Sequence, residues 1–133
     1  MIKRIDHIAI VVKDLDESVQ LYEKILGMKP EKITTVQDQA VKSALYIIGD
    51  GSELELIQPI DSQSGVAKFL EKKGEGMHHV AFEVDNINQE IKSMLDKGVE
   101  VIDKQPRKGM AGTIAFLHPK STGSVLMEMT QKD

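Results

Sequence analysis

This 133-residue sequence predicts an α+β fold built from two tandem βαβββ modules. Three observations carry the prediction. His7 and Glu55 recur half a chain later as His79 and Glu128, at separations of 48 and 49 residues. The surroundings recur too: Asp6-His7-Ile8-Ala9-Ile10-Val11-Val12 aligns with His78-His79-Val80-Ala81-Phe82-Glu83-Val84, and Leu54-Glu55-Leu56-Ile57-Gln58 with Met127-Glu128-Met129-Thr130-Gln131. Each copy also passes through one helix-length stretch to a glycine, Gly27 or Gly98. A repeat constrains architecture before any finer reading, and this period is too long for a solenoid. The reading is one domain over 1–133, with module one at 1–60, a linker with a short helix at 61–75, and module two at 76–133.

Ile5 to Val12 is β-branched and apolar enough for a buried strand. Asp14, three residues before Glu17, opens a helix in the manner of a capping box. Leu15, Val19, Tyr22 and Leu26 then mark one helical face, and Gly27 is placed to end it. Three extended segments follow, at about Glu31 to Val36, Val41 to Ile48 and Glu53 to Gln58. Gly49-Asp50-Gly51 joins the last two as a hairpin. Within the linker, Val66 to Lys73 reads as a short helix stopped by Gly74. The second copy repeats the order, with a strand from His78 to Val84 and a helix from Ile87 to Lys97 capped by Asn86. Its remaining strands are expected near Val99 to Lys104, Thr113 to Leu117 and Val125 to Met129. Four strands with one helix leave a sheet face open, and two such sheets can close that face around a shared interior.

Composition narrows the function classes. Charged residues make up 29% and apolar residues 41%, which marks a globular chain. A formal net charge of -4 without a basic tract argues against a nucleic-acid partner. The chain has no cysteine, which excludes thiolate catalysis, disulfides and sulfur-ligated zinc. No apolar run approaches the roughly 18 residues of a membrane span. The first residues pass straight into a strand pattern, so neither a signal peptide nor a membrane partner is expected and a cytoplasmic location is.

His7 and His79 fall in the first strand of their copies, Glu55 and Glu128 in the last. Glu55 sits between Leu54 and Leu56, and Glu128 between Met127 and Met129. Because side chains alternate along a strand, each carboxylate faces solvent or a lined interior. Burial without a partner is too costly. Two imidazoles and two carboxylates converging on a divalent cation resolve that cost and leave the site formally neutral. A single strand histidine or glutamate is ordinarily structural; matched pairs in both halves point to metal ligands. His78 has Asp6 as its counterpart and is expected on the opposite face, outside the ligand set. His118, in a His-Pro-Lys turn, reads as a loop residue or one at the substrate's edge. This nitrogen and oxygen set suits zinc, cobalt, nickel, manganese or iron, and four ligands on an octahedral ion leave two positions for substrate.

With these residues in view, the chain resembles the vicinal oxygen chelate (glyoxalase I-like) superfamily, and within it the methylmalonyl-CoA epimerase family. The likeness runs through Asp6-His7-Ile8-Ala9-Ile10, Val66-Ala67-Lys68-Phe69-Leu70, Gly76-Met77-His78-His79-Val80-Ala81-Phe82-Glu83-Val84, Phe116-Leu117-His118-Pro119-Lys120-Ser121-Thr122-Gly123 and Val125-Leu126-Met127-Glu128. It covers nearly the whole chain. The resemblance implies two sheets closing around one shared metal site and a metal-dependent isomerase that inverts the carbon between a thioester and a carboxylate. One divalent ion, such as cobalt, nickel, zinc or manganese, would be held by His7, Glu55, His79 and Glu128. It would stabilise the enolate left when the α-proton of the acyl-CoA departs. Glu128 is then also the catalytic base on one face, and a homodimer is expected.

Epimerisation needs proton transfer on both faces of the planar intermediate. Some epimerases carry a glutamate after a Glu-Gln-Gly-Val segment; here the stretch is Asp38-Gln39-Ala40-Val41-Lys42-Ser43, with Ser43 at that position. Ser43 is therefore assigned to substrate binding, with water or another carboxylate left as the second base. Lys104, Arg107, Lys108 and Lys120 are loop cations suited to CoA phosphates, and Arg107 to Gly112 reads as either a lid or a plain hairpin. Two other functions remain open. One is a glyoxalase I-type lactoylglutathione lyase acting on a glutathione hemithioacetal. The other is a non-catalytic small-molecule-binding protein, against which the intact ligand set argues. A ring-cleaving dioxygenase fits less well, because its iron favours two histidines and one carboxylate.

Overall fold

The computed structural model describes residues 1–110 and 112–133. Its elements run β1 (Ile2–Val11), α1 (Leu15–Leu26), β2 (Lys32–Val36), β3 (Val41–Ile48), β4 (Ser52–Pro59) and α2 (Gly65–Lys73). They continue with β5 (Gly76–Val84), α3 (Ile87–Asp96), β6 (Arg107–Lys108), β7 (Gly112–Leu117) and β8 (Met127–Lys132). The tandem βαβββ order is thus present. None of these helices is long and apolar enough to cross a membrane. The chain divides into two compact units, Ile8–His78 and Met1–His7 with His79–Asp133. The division falls inside β1 and β5, so His7 belongs with the second copy's strands.

In the unit Ile8–His78 the strand order is β2-β3-β4-β1. Alternation sorts its residues to two faces. Ala44, Tyr46 and Leu56 pack with Val12 and Leu15, and α1 adds Val19 and Tyr22 to that layer. Ala9, Val11, Val41 and Ile57 form a second cluster, joined by Val66, Phe69 and Leu70 of α2. The linker helix therefore covers part of the sheet face that the sequence left open. Ser43 and Glu55 fall by register on this second face, since Ser43 pairs with Ile57 and Leu45 with Glu55.

The other unit orders its strands β1-β5-β8-β7-β6. Its core of Val84, Ile87, Ile91, Val101, Ala115, Leu117 and Met129 lies between the sheet and α3. Glu128 and Phe116, flanked by these core residues, pair with each other in the β7–β8 register and share the opposite face. The expected strand at Val99 to Lys104 is not formed. Only Val101 bridges to Leu117, and β6 pairs instead as Arg107 with Ile114 and Lys108 with Thr113. The cause is local. The Asp103 carboxylate accepts from the Phe116 backbone N–H at 2.8 Å, taking the place of a strand carbonyl, and Pro106 has no N–H to donate. Gly109 N–H donates to Gly112 O at 2.8 Å, closing a plain hairpin. Ala111, within that segment, lies outside the described residues. The final strand, β8, starts two residues later than expected and runs to Lys132.

The two helices that start the repeat begin alike. Asp14 accepts from Glu17 N–H at 3.1 Å, and Asn86 from Gln89 N–H at 3.1 Å. Gln58 then accepts from Leu15 N–H at 2.7 Å, and Gln131 from Ile87 N–H at 2.8 Å. Each helix start thus has two side-chain acceptors for donors that have no partner within the helix. The last strand of each copy supplies one of them. Gly27 ends α1 at a φ of 67°, a left-handed conformation that favours glycine.

Candidate metal centre

β1, β5 and β8 place His7, His79 and Glu128 together in the unit Met1–His7 with His79–Asp133. All three are buried, and their ligand atoms lie within 4.8 Å of one another. His7 Nε2 is 3.3 Å from His79 Nε2 and 3.4 Å from Glu128 Oε2. His79 Nε2 is 3.6 Å from Glu128 Oε1. These separations exceed the ordinary 2.7–3.2 Å hydrogen-bond range. Metal–ligand bonds of about 2.1 Å at 90–109° would give ligand–ligand edges of about 3.0–3.4 Å. The donor set and spacing therefore fit a divalent ion.

Neighbouring side chains aim these donors. Asp6, 2% exposed, places Oδ2 2.7 Å from His7 Nδ1. An ionised carboxylate only accepts, so His7 Nδ1–H donates and Nε2 is left with its lone pair on the side of His79 and Glu128. Lys132 Nζ stands 3.0 Å from Asp6 Oδ1 as an ion pair. Burial alone pushes the Asp6 carboxyl up, but hydrogen bonds and charge from His7 and Lys132 outweigh it and hold it below the usual value. Thr130 Oγ1 donates to Glu128 Oε2 at 2.7 Å. The Phe116 ring meets His79 edge-on, with centroids 5.1 Å apart.

The profile of the glyoxalase/bleomycin resistance protein/dioxygenase superfamily matches residues 6–116. The chain belongs to this superfamily. Among superfamily relatives, it is 35% identical over 130 residues to the human mitochondrial methylmalonyl-CoA epimerase, covering 96% of this chain and 73% of that one. A solved methylmalonyl-CoA epimerase in complex with methylmalonyl-CoA and NH4+ superposes with a TM-score of 0.95 and 37% identity. That comparison covers 99% of this chain and 96% of the other. A variant of the Streptomyces coelicolor epimerase, in complex with 2-nitronate-propionyl-CoA, matches with the same TM-score, identity and coverage.

The other residues singled out in the sequence lie as follows. Glu55 is half-buried on β4, in the unit Ile8–His78, and is not in the three-residue cluster. It is the register equivalent of Glu128: each pairs with the neighbouring antiparallel strand, and each precedes by three residues the glutamine that caps a helix. Ser43 is 0% exposed, and its hydroxyl has no hydrogen-bond partner among the described residues. His78 packs edge-on against Phe69 at 5.0 Å. Burial, reinforced by the Lys73 ammonium, pushes its imidazole down to about 4.

Of the proposed substrate cations, Arg107 is the one with a defined seat. Its guanidinium lies 5.6 Å from the Phe116 ring centroid, and Nε is 3.1 Å from Asp103 Oδ1. Lys104, Lys108 and Lys120 are exposed. His118 serves its own turn, accepting from Lys120 N–H at 3.0 Å. Sequence reasoning missed Asp6 and Thr130. Thr130 carried a signal, since it lies two residues from Glu128 and so on the same strand face. Asp6 carried none, because alternation assigns a residue adjacent to His7 to the other face.

Proposed function

We propose that this protein is a metal-dependent methylmalonyl-CoA epimerase. One observation carries the reading: a buried His-His-Glu cluster with metal-ligand spacing, in a chain whose whole length matches epimerases solved with acyl-CoA ligands. His7, His79 and Glu128 are the ligands, and Glu55 is proposed as a fourth on the ground of its repeat position. The ligand set suits cobalt, nickel, zinc or manganese. When bound, such an ion supplies Lewis-acid stabilisation of charge developing on the thioester oxygen, worth several kcal/mol.

The protein's own groups do the rest. Thr130 holds Glu128 Oε2, and removal of the α-proton is given to the Glu128 carboxylate. Loss of that proton makes the carbon planar, and a proton returned to the opposite face inverts it. Ser43 is a binding residue in this scheme, because an unassisted hydroxyl is a poor base near neutral pH. Its unpartnered Oγ supplies a hydrogen bond to substrate or to the water that serves the second face. Arg107 is assigned to an anionic group of the substrate, with Lys104 and Lys120 in supporting roles. The proposal includes a homodimer in the cytoplasm.

Ser43 favours one second reading, a lactoylglutathione lyase, whose proton transfer needs a single carboxylate. NMR of methylmalonyl-CoA in D2O separates the two. Cobalt-loaded protein is expected to exchange the α-proton, while EDTA-treated protein and the Glu128→Ala variant are not. Absence of exchange from folded, metal-loaded protein, with turnover of the methylglyoxal–glutathione hemithioacetal, would replace the epimerase by the lyase.

A further inference from the structure

We propose that Asp6, backed by Lys132, is a positioning residue that fixes the tautomer and aim of His7. The inference rests on the metal-centre reading and deepens it. Asp6 is almost fully buried and sits beside His7 in sequence. A buried carboxylate is costly unless paired, and both of its oxygens are engaged here. Oδ2 accepts from His7 Nδ1–H at 2.7 Å, while Oδ1 faces the Lys132 ammonium at 3.0 Å and Arg4 Nη2 at 3.9 Å. Arg4 is itself held by Glu83, with Nε 3.0 Å from Oε1. His7 therefore cannot turn its ring over without breaking a charge-assisted bond and leaving the buried Oδ2 of Asp6 without the donor it has here.

The result is a ring presenting Nε2 to Glu128 and His79. Carboxylate partners of this kind set ligand orientation and basicity, and their removal typically weakens metal binding by about 10–100-fold. The second copy differs. The residue before His79 is His78, whose ring packs against Phe69, and the Phe116 ring meets His79 edge-on. The repeat therefore sets Asp6 before one histidine and His78 before the other.

Two readouts test this: Co2+ affinity by optical titration, and the imidazole N–H resonances of metal-free protein labelled with 15N. Asp6→Asn is close to isosteric and keeps an acceptor while losing the charge. Lys132→Met removes the charge behind Asp6, and Asp6→Ala removes the acceptor. Expected are Co2+ binding at unchanged stoichiometry but about 10–100-fold weaker in Asp6→Asn, a smaller weakening in Lys132→Met, and loss of the His7 Nδ1–H resonance in Asp6→Ala. Wild-type Co2+ affinity in folded Asp6→Asn and Lys132→Met would overturn the proposal, as would an unchanged His7 resonance in Asp6→Ala. If wild-type protein binds no Co2+, or binds it as tightly as His7→Ala does, the metal-centre reading fails. The resonance then still decides whether Asp6 sets the His7 tautomer.

Discussion

At the scale of single residues, the candidate centre depends on how each donor is aimed. A glutamate can turn either oxygen to a partner; Thr130 removes that freedom by holding Oε2 at 2.7 Å. Thr130→Val keeps the shape and deletes the hydroxyl. A hydrogen bond to a charged group is worth about 1.5–3 kcal/mol. The variant is therefore expected to lose about 10-fold or more in Co2+ affinity or in the rate of α-proton exchange. Titration and exchange NMR on the same sample would show which. An unchanged value for both would make Thr130 a packing residue. Thr130 also separates the two carboxylates, because its repeat counterpart is Ile57, which offers Glu55 no hydroxyl.

At the scale of elements, the repeat has kept its wiring better than its letters. Gln58 and Gln131 each reach from a last strand to the first N–H of a helix, at 2.7 and 2.8 Å. The pair is matched although its surroundings diverged from Leu56-Ile57 to Met129-Thr130. Removing either acceptor leaves a helix N–H to find another partner, at a cost of about 1 kcal/mol. Gln58→Ala and Gln131→Ala are expected to lower the urea midpoint by similar amounts, with the denaturant slope unchanged. A large loss from one alone would show that the two contacts are not equivalent. Where the repeat failed as a guide, at Val99 to Lys104, a side chain had captured the hydrogen bond of a strand. Asp103 accepts from Phe116 N–H, and a hydrophobic pattern carries no record of that competition.

At the scale of the whole molecule, a ligand that binds only the folded chain adds stability by mass action. With Co2+ at about 100 times its Kd the gain is about 2.7 kcal/mol. The melting temperature is therefore expected to rise by several degrees in wild-type protein, fall back with EDTA, and respond little in a His7→Ala, His79→Ala double variant. An equal rise in that variant would place the ion elsewhere. The sequence alone determined the tandem βαβββ plan, the helix starts at Asp14 and Asn86, and the location of His7, His79 and Glu128 on strands. All of these rest on local chemistry or on period, which a linear string records. Tertiary structure decided what depends on distance between remote residues. It brought the three donors to 3.3–3.6 Å of one another. It also set Asp6 and Lys132 behind His7 and folded the linker helix onto a sheet face. Such contacts leave no periodic trace in the sequence, because packing and burial select them only after the strands have paired.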